Sequence, residues 1–270
     1  MIYLFCQDIT WECIKTSKKK LLWIILLTIS VAVLTACLVY FIIGFVQNKP
    51  SEIVIDTNSQ SSQTESSEKE PIVVETPVNF NELKSVNDEI YAWINIPNAN
   101  VNYPILQSKT ERSYYLSHNV NKQKSSYGAI YTQNYNKTDF SDYNTIIYGH
   151  NMKNGTMFGS LKRYRDKAFF DSNQYIEIYM PGRILKYRVF AAYTFDDRHI
   201  LMSFNFSDVA DRQLYLETIY GYKNVRNHFR DDVTVTTDDK IITLSTCERR
   251  TSEPSICGMP FEVTLLNNGR

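Results

Sequence analysis

Cysteine is scarce in this chain of 270 residues: Cys6, Cys13, Cys37, Cys247 and Cys257 are all it has. They form no CxxC pair and no Cys/His cluster at zinc-like spacing, which argues against a disulfide framework and a structural zinc site. One Cys247–Cys257 bridge stays open, because spacing alone does not supply disulfide geometry. Glycine is sparse too, 9 residues against 19 Tyr and 14 Phe, a balance that suits β-strands with aromatic side chains better than a Gly-rich nucleotide-binding fold. Neither sign of charge is in excess, with 29 basic and 29 acidic residues, so whole-chain charge predicts no nucleic-acid partner.

Charge is missing altogether from residues 21–46, "LLWIILLTISVAVLTACLVYFIIGFV". At about 1.5 Å per residue, a helix of this length exceeds the roughly 30 Å hydrocarbon core of a bilayer. Lys15, Lys18, Lys19 and Lys20 precede it, which by the positive-inside rule puts residues 1–20 in the cytoplasm and the rest of the chain outside. The segment "LTAC" at 34–37 resembles the lipobox of bacterial lipoproteins, but the apolar run continues to Val46. It is also longer than the roughly 7–15 residues of a signal-peptide core. The expectation is an uncleaved single-pass anchor. Residues 47–77, rich in Ser, Glu and Gln, cannot bury enough apolar surface to order themselves and read as a flexible extracellular spacer.

The folded domain is expected at 78–270. It opens with a helix capped by Asn79 or Asn81, with Leu83, Val86 and Ile90 on one face. Strand-like runs follow: "VNYPILQ", "YGAIYTQ", "NTIIYGH", "QYIEIYM", "LKYRVFAAYTF", "DVTVTTDDKIITLSTC" and "FEVTLL", β-branched, aromatic and divided by turn signals. Residues 203–229 interrupt them as a long helix, with Ser207 or Asp208 as N-cap and Val209, Leu216, Ile219 and Tyr220 as its apolar face. The sum is a mainly β fold, a mostly antiparallel closed barrel of about eight strands. It has an N-terminal helix and a long helix before the last two strands.

Within this frame "IITLSTCERR" (241–250) ends a strand on a cysteine flanked by an acid and two arginines. The thiolate is the nucleophilic form of cysteine, and positive neighbours favour it. Such a thiol needs a base or imidazolium and a group to hold charge on a carbonyl oxygen. His118 lies in a polar stretch, His199 follows "FDDR" in a loop, and His228 sits among charged residues. His150 differs, because it follows Gly149 at the end of the strand run "NTIIYGH", where a glycine turn can aim it into a cleft.

Together these segments resemble a known family. "TLSTC" is similar to the TLxTC signature of sortases, the membrane-anchored cysteine transpeptidases of Gram-positive bacteria. "NTIIYGHNMKNGTMFGSLKRY" looks like the histidine segment of the class B group, as do "YAWINIPN", "YPILQ" and "FFDSN". The resemblance spans about residues 79–250. It implies that Cys247 attacks the Thr–Gly carbonyl of an LPxTG-like sorting signal on a surface protein, forming a thioacyl enzyme. An amine of a peptidoglycan precursor, or a pilin lysine, then resolves it. His150 would shuttle the protons, a role suited to a side chain that titrates near neutral pH. Tyr148, Ser245, Thr246 and Glu248 would line the substrate groove. A pilin-polymerising enzyme and a non-catalytic module that only binds sorting signals are the alternatives.

One departure stands out. Family members carry an arginine some eight to ten positions after the cysteine, where this chain has Ser255, Ile256 and Cys257. Arg250, or alternatively Arg249, is the expected replacement. The chemistry needs no cofactor. The acidic run "KTDFSDY" (137–143) lacks EF-hand spacing, so no metal is expected.

Overall fold

Strand-forming residues account for most of the architecture of the computed structural model, which describes residues 29–37, 39, 76–196, 198–222, 225–246 and 261–267. Residues 1–49 form a unit of their own, distinct from 50–270, and its described part, 29–37 and 39, is helical. Among the described residues no helix is long and apolar enough to cross a membrane. The anchor expected at 21–46 falls mostly outside them, and the spacer lies almost wholly outside.

The larger unit begins with helix α1 (Phe80–Val86), where Asn79 accepts the Glu82 N–H at 3.3 Å, an ordinary N-cap. Phe80 and Leu83 are buried, but Val86 is exposed and Ile90 has already entered a strand. The strands are β1 (Ile90–Ile96), β2 (Val101–Leu106), β3 (Ile130–Thr132), β4 (Asn144–Tyr148), β5 (Tyr175–Met180), β6 (Arg183–Thr194), β7 (His228–Phe229), β8 (Ile241–Thr246) and β9 (Phe261–Asn267). The sequence pattern assigns no strand to the β1 segment. Around the barrel the order is β5-β1-β2-β3-β4-β8-β9-β6, and β5 pairs back onto β6, so eight strands close the ring while two-residue β7 flanks β6. Pairing is antiparallel except β2 with β3 and β4 with β8, which are parallel.

The helix expected within 203–229 is shorter. After α2 (Lys167–Ser172) and the single turn α3 (Ile200–Ser203), helix α4 runs from Val209 to Gly221. Asp208 is its cap, accepting Ala210 N–H at 3.0 Å. Tyr215, Leu216 and Ile219 are buried while Val209 is exposed, and His228–Phe229 is strand rather than helix. The expected strand at 232–247 also contracts to 241–246, because side chains satisfy the backbone before it. Asp239 accepts both the N–H and the hydroxyl of Thr236 at 2.8 Å, and Arg212 donates to the Thr237 carbonyl at 3.0 Å.

Two cores share the central strands. Ile105, Ile130, Ile147, Ile178, Val189, Ile242, Leu244, Val263 and Leu265 fill the barrel. The alternate residues Ile146, Ile241, Phe190 and Tyr193 face α4 with Tyr215, Leu216 and Ile219. The period of two in strands places neighbours on opposite faces, and with both faces covered β8 is buried at every residue.

Candidate functional site

The parallel pairing of β4 with β8 decides where the chemistry can sit. Its register sets Tyr148 beside Ser245, and parallel strands end at the same edge of a sheet. His150 is two residues beyond Tyr148, and Cys247 is two beyond Ser245. The Gly149 N–H donates to the Ser245 carbonyl at 3.2 Å, tying the turn before His150 to the end of β8. Cys247, Glu248, Arg249 and Arg250 lie outside the described residues, as do Ser255 to Cys257 and any Cys247–Cys257 bridge.

His150 is held closely. Its Nε2 is 2.6 Å from the Leu116 carbonyl oxygen. A carbonyl only accepts, so Nε2 carries the proton and Nδ1 is left for proton exchange. Both flanking glycines are needed. A Cβ on Gly149 would meet Ile130 Cδ1 at 2.6 Å and the Phe158 ring at 2.7 Å. Gly128 has φ +57°, and its Cβ would meet the Tyr115 carbonyl at 2.5 Å and His150 Cδ2 at 3.1 Å. Backbone bonds from Met152 and Phe158 N–H to the His150 carbonyl, 3.1 and 3.0 Å, fix the loop beyond.

The expected groove residues fall into two groups. Tyr148 is partly buried and stacks on Tyr131 with centroids 5.4 Å apart. Burial pushes the Tyr148 phenol well above its ordinary value and that of Tyr131 up to about 12, so both act as neutral hydroxyls. Ser245 is 8% and Thr246 3% exposed, and Ser245 donates to Glu262 Oε1 at 3.3 Å. The structure brings Tyr148, His150, Ser245 and Thr246 to one end of the barrel. Of the other histidines, His118 stacks on Tyr114 at 4.0 Å and its Nδ1 lies 2.9 Å from the Tyr114 carbonyl oxygen. His228 Nε2 is 2.8 Å from the Arg165 carbonyl oxygen.

His199 is a residue the sequence pattern passes over. Its ring lies 6.4 Å from that of Tyr148 and 6.2 Å from that of Tyr135, and Nε2 is 2.8 Å from Gln133 Oε1. Nδ1 is buried without a hydrogen-bond partner. Burial first, then the positive field of Arg112, lowers its pKa, so it stands there as a neutral imidazole. Its loop is pinned by Asp196, which accepts from Arg198 Nε at 2.8 Å and from the Tyr222 hydroxyl at 2.5 Å. "FDDR" carries no signal that this loop returns to Tyr148. Glu262, a lone acid in the apolar run "FEVTLL", was detectable as a charge at a core position.

Among the described residues no group of three or more His, Cys, Asp or Glu side chains is placed to hold a metal ion. The acids of "KTDFSDY" serve their own loop: Asp142 accepts Lys137 N–H at 2.7 Å and Asp139 accepts Ser141 N–H at 2.9 Å.

Comparison with known proteins agrees with this geometry. The family described as the sortase domain matches residues 94–255. Sortase B of Listeria monocytogenes is 31% identical over 202 residues, covering 75% of this chain and 80% of that protein. The X-ray structure of Clostridium perfringens sortase B superposes with a TM-score of 0.60 at 28% identity, covering 70% of this chain and 99% of that one. A Staphylococcus aureus sortase B–substrate complex gives 0.57 at 29% identity, covering 70% and 83%. The chain belongs to the sortase family of transpeptidases, in its class B branch.

Proposed function

We propose that this chain cleaves an LPxTG-like sorting signal with Cys247 and passes the surface protein to an amine of the cell wall. The Cys247 thiolate adds to the Thr–Gly carbonyl carbon. As the tetrahedral adduct collapses, protonated His150 gives its proton to the departing glycine amine, leaving a thioester. An incoming amine then attacks that thioester, His150 takes its proton, and the thiolate leaves. Arg250, or Arg249 in its stead, donates to the oxyanion. Tyr148, Ser245, Thr246 and Glu248 border the signal. Residues 21–46 hold the enzyme in the membrane with the catalytic domain outside.

The observation that carries this reading is the parallel β4–β8 register. With the Gly149–Ser245 hydrogen bond, it sets a carbonyl-anchored imidazole at the strand end that leads to the TLSTC cysteine. The test incubates the full-length chain in detergent with LPxTG-type peptides and a panel of amines, with products read by mass spectrometry. Peptide–amine conjugates should form, Cys247→Ala should abolish them, and Cys257→Ala should retain most activity. If the two variants behave the other way round, the assignment of the nucleophile is wrong. Tight peptide binding without any cleavage by the parent chain would favour a non-catalytic module lacking the family arginine. Preference for a lysine-bearing pilin segment over peptidoglycan-type amines would point to pilus polymerisation.

A further inference from the structure

Glu262 sits on β9 directly across from Ser245 on β8 and is 1% exposed. Among the described residues its hydrogen-bond partners are hydroxyls, Tyr193 to Oε2 at 3.2 Å and Ser245 to Oε1 at 3.3 Å. The contacts continue from there. The Tyr193 hydroxyl is 3.4 Å from that of Tyr215 on α4 and 3.1 Å from that of Thr264. Tyr215 in turn is 3.2 Å from Thr243 Oγ1, which donates to Asn144 Oδ1 at 3.0 Å. One buried network therefore joins β4, β6, β8, β9 and α4 behind the strand end that leads to Cys247. A carboxylate stripped of water, with no lysine or arginine bonded to it among the described residues, is strongly disfavoured. A neutral carboxylic acid fits, since it buries no charge and its oxygens still accept from Ser245 and Tyr193.

We propose that Glu262 is a positioning residue for the transpeptidase site: as a neutral acid it ties Ser245, two residues before Cys247, to Tyr193 and α4, and its ionisation loosens that strand end. This rests on the reading of Cys247 and His150 as the reacting pair. Burial pushes the Glu262 carboxyl up to about 8, consistent with the neutral form at neutral pH. The titratable groups facing it are Tyr148 on β4, Tyr193 on β6, Tyr215 on α4 and Asp196 in the loop after β6. The three tyrosines stay neutral over this range; the Tyr193 and Ser245 hydroxyls favour the ionised carboxylate by hydrogen bonding, whereas burial first, and then the negative charge of Asp196, oppose it. Because the folded pKa lies above the unfolded value, the folded chain binds the extra proton. The stabilisation from Glu262 is complete below the unfolded pKa, about 4.5, and is lost as pH rises to about 8.

The test compares the full-length parent chain, Glu262→Gln and Glu262→Ala. Gln keeps a neutral, hydrogen-bonding side chain and removes the titration. The parent's melting temperature should fall relative to that of the Gln variant between pH 5 and 8. The ratio of Gln-variant to parent kcat for peptide cleavage should be near one at pH 7. It should rise to roughly ten at pH 9, as expected for one group titrating near 8, with KM little changed. Hydrogen exchange of the 241–246 segment, parent against Gln variant at the same pH, should diverge over the same range. Glu262→Ala should lose kcat at every pH. Parallel melting and exchange profiles for the parent and the Gln variant would overturn the proposal, as would an Ala variant within threefold of the parent kcat at pH 7. Absence of cleavage by the folded parent would instead defeat the Cys247–His150 reading, and the melting and exchange comparison would still decide Glu262.

Discussion

The two faces of β4 and β8 are built from different chemistry although they share one backbone. Inward, Ile147, Ile242 and Leu244 meet Val263 and Leu265 in an apolar barrel core. Outward, Asn144, Thr243, Ser245 and Glu262 form hydroxyl, amide and carboxyl contacts with Tyr193 and Tyr215 beneath α4. Apolar contact is non-directional and tolerates adjustment, whereas a hydrogen bond fixes an angle as well as a distance. The inner face closes the barrel. The outer face sets where the strand ends point, and Tyr148 lies on it, two residues before His150.

The comparison breaks if the outer face carries no chemistry, and His150→Ala is the most direct way to ask. Loss of a general acid–base typically costs about 10²–10⁴-fold in rate. That drop should appear in kcat/KM for peptide cleavage, with the thermal midpoint within a few degrees of the parent. A variant within threefold of the parent would remove His150 from the mechanism.

Leu244→Ala addresses the inner face. Leu244 is fully buried in the barrel core, and truncating a buried Leu costs about 2–5 kcal/mol including the cavity left behind. Urea unfolding should show this loss, and it should be equal at pH 5 and pH 8, because no titratable group is touched. A loss that varies by more than about 1 kcal/mol across that range, near the 1.36 kcal/mol worth of one pKa unit, would mean that the two faces are coupled.

The outer face should behave in the opposite way. Tyr193→Phe keeps the ring and deletes the hydroxyl that contacts Glu262, Tyr215 and Thr264. Leaving buried polar groups short of a partner costs about 1–3 kcal/mol. With one donor to its carboxyl gone, Glu262 should ionise less readily still, so this variant's stability should decline over a wider pH range than the parent's. Equal pH profiles would show that Tyr193 does not reach the carboxyl in solution.

The inner face was the more legible of the two in the sequence. The runs "NTIIY", "IITLST" and "FEVTLL" announce strands by composition, and with the other strand-like runs they lead to the expectation of a closed barrel of about eight strands, which the ring of eight strands matches. The histidine and cysteine segments were readable as motifs because each couples an unusual residue to a strand end. Tertiary facts were not readable. Nothing local says that β4 and β8 run parallel after a long excursion through β5, β6 and α4. The β1 segment "IYAWINI" mixes apolar and polar positions without clean alternation, and only its pairing with both β2 and β5 makes it a strand. Residues 232–237 have strand composition, yet Asp239 and Arg212 occupy their backbone groups instead. His199 joins the site through the return of a loop, which no spacing encodes.

His199 gives the smallest expected effect and the finest test of how far the outer face extends. Its Nε2–H donates to Gln133 and its ring lies beside Tyr148 and Tyr135, so it braces Tyr148, one of the residues proposed to border the signal. One neutral hydrogen bond contributes about 0.5–1.5 kcal/mol net. His199→Ala should therefore raise KM for the peptide by roughly two- to tenfold while leaving kcat nearly unchanged, the signature of lost uniform binding. Charge adds a second handle. Burial and Arg112 both hold the His199 pKa below its ordinary value, so the folded chain binds fewer protons there than the unfolded chain does. The stability this group contributes is present above about pH 6.5 and declines as pH falls through the folded pKa. Removing the nearby positive charge with Arg112→Ala should raise that pKa and make imidazolium form at a higher pH. The increase in KM on acidification should then begin earlier than in the parent, and the double variant with His199→Ala should lose it. If His199→Ala leaves KM unchanged from pH 5 to 8, the groove wall stops at Tyr148 and the loop histidine only packs.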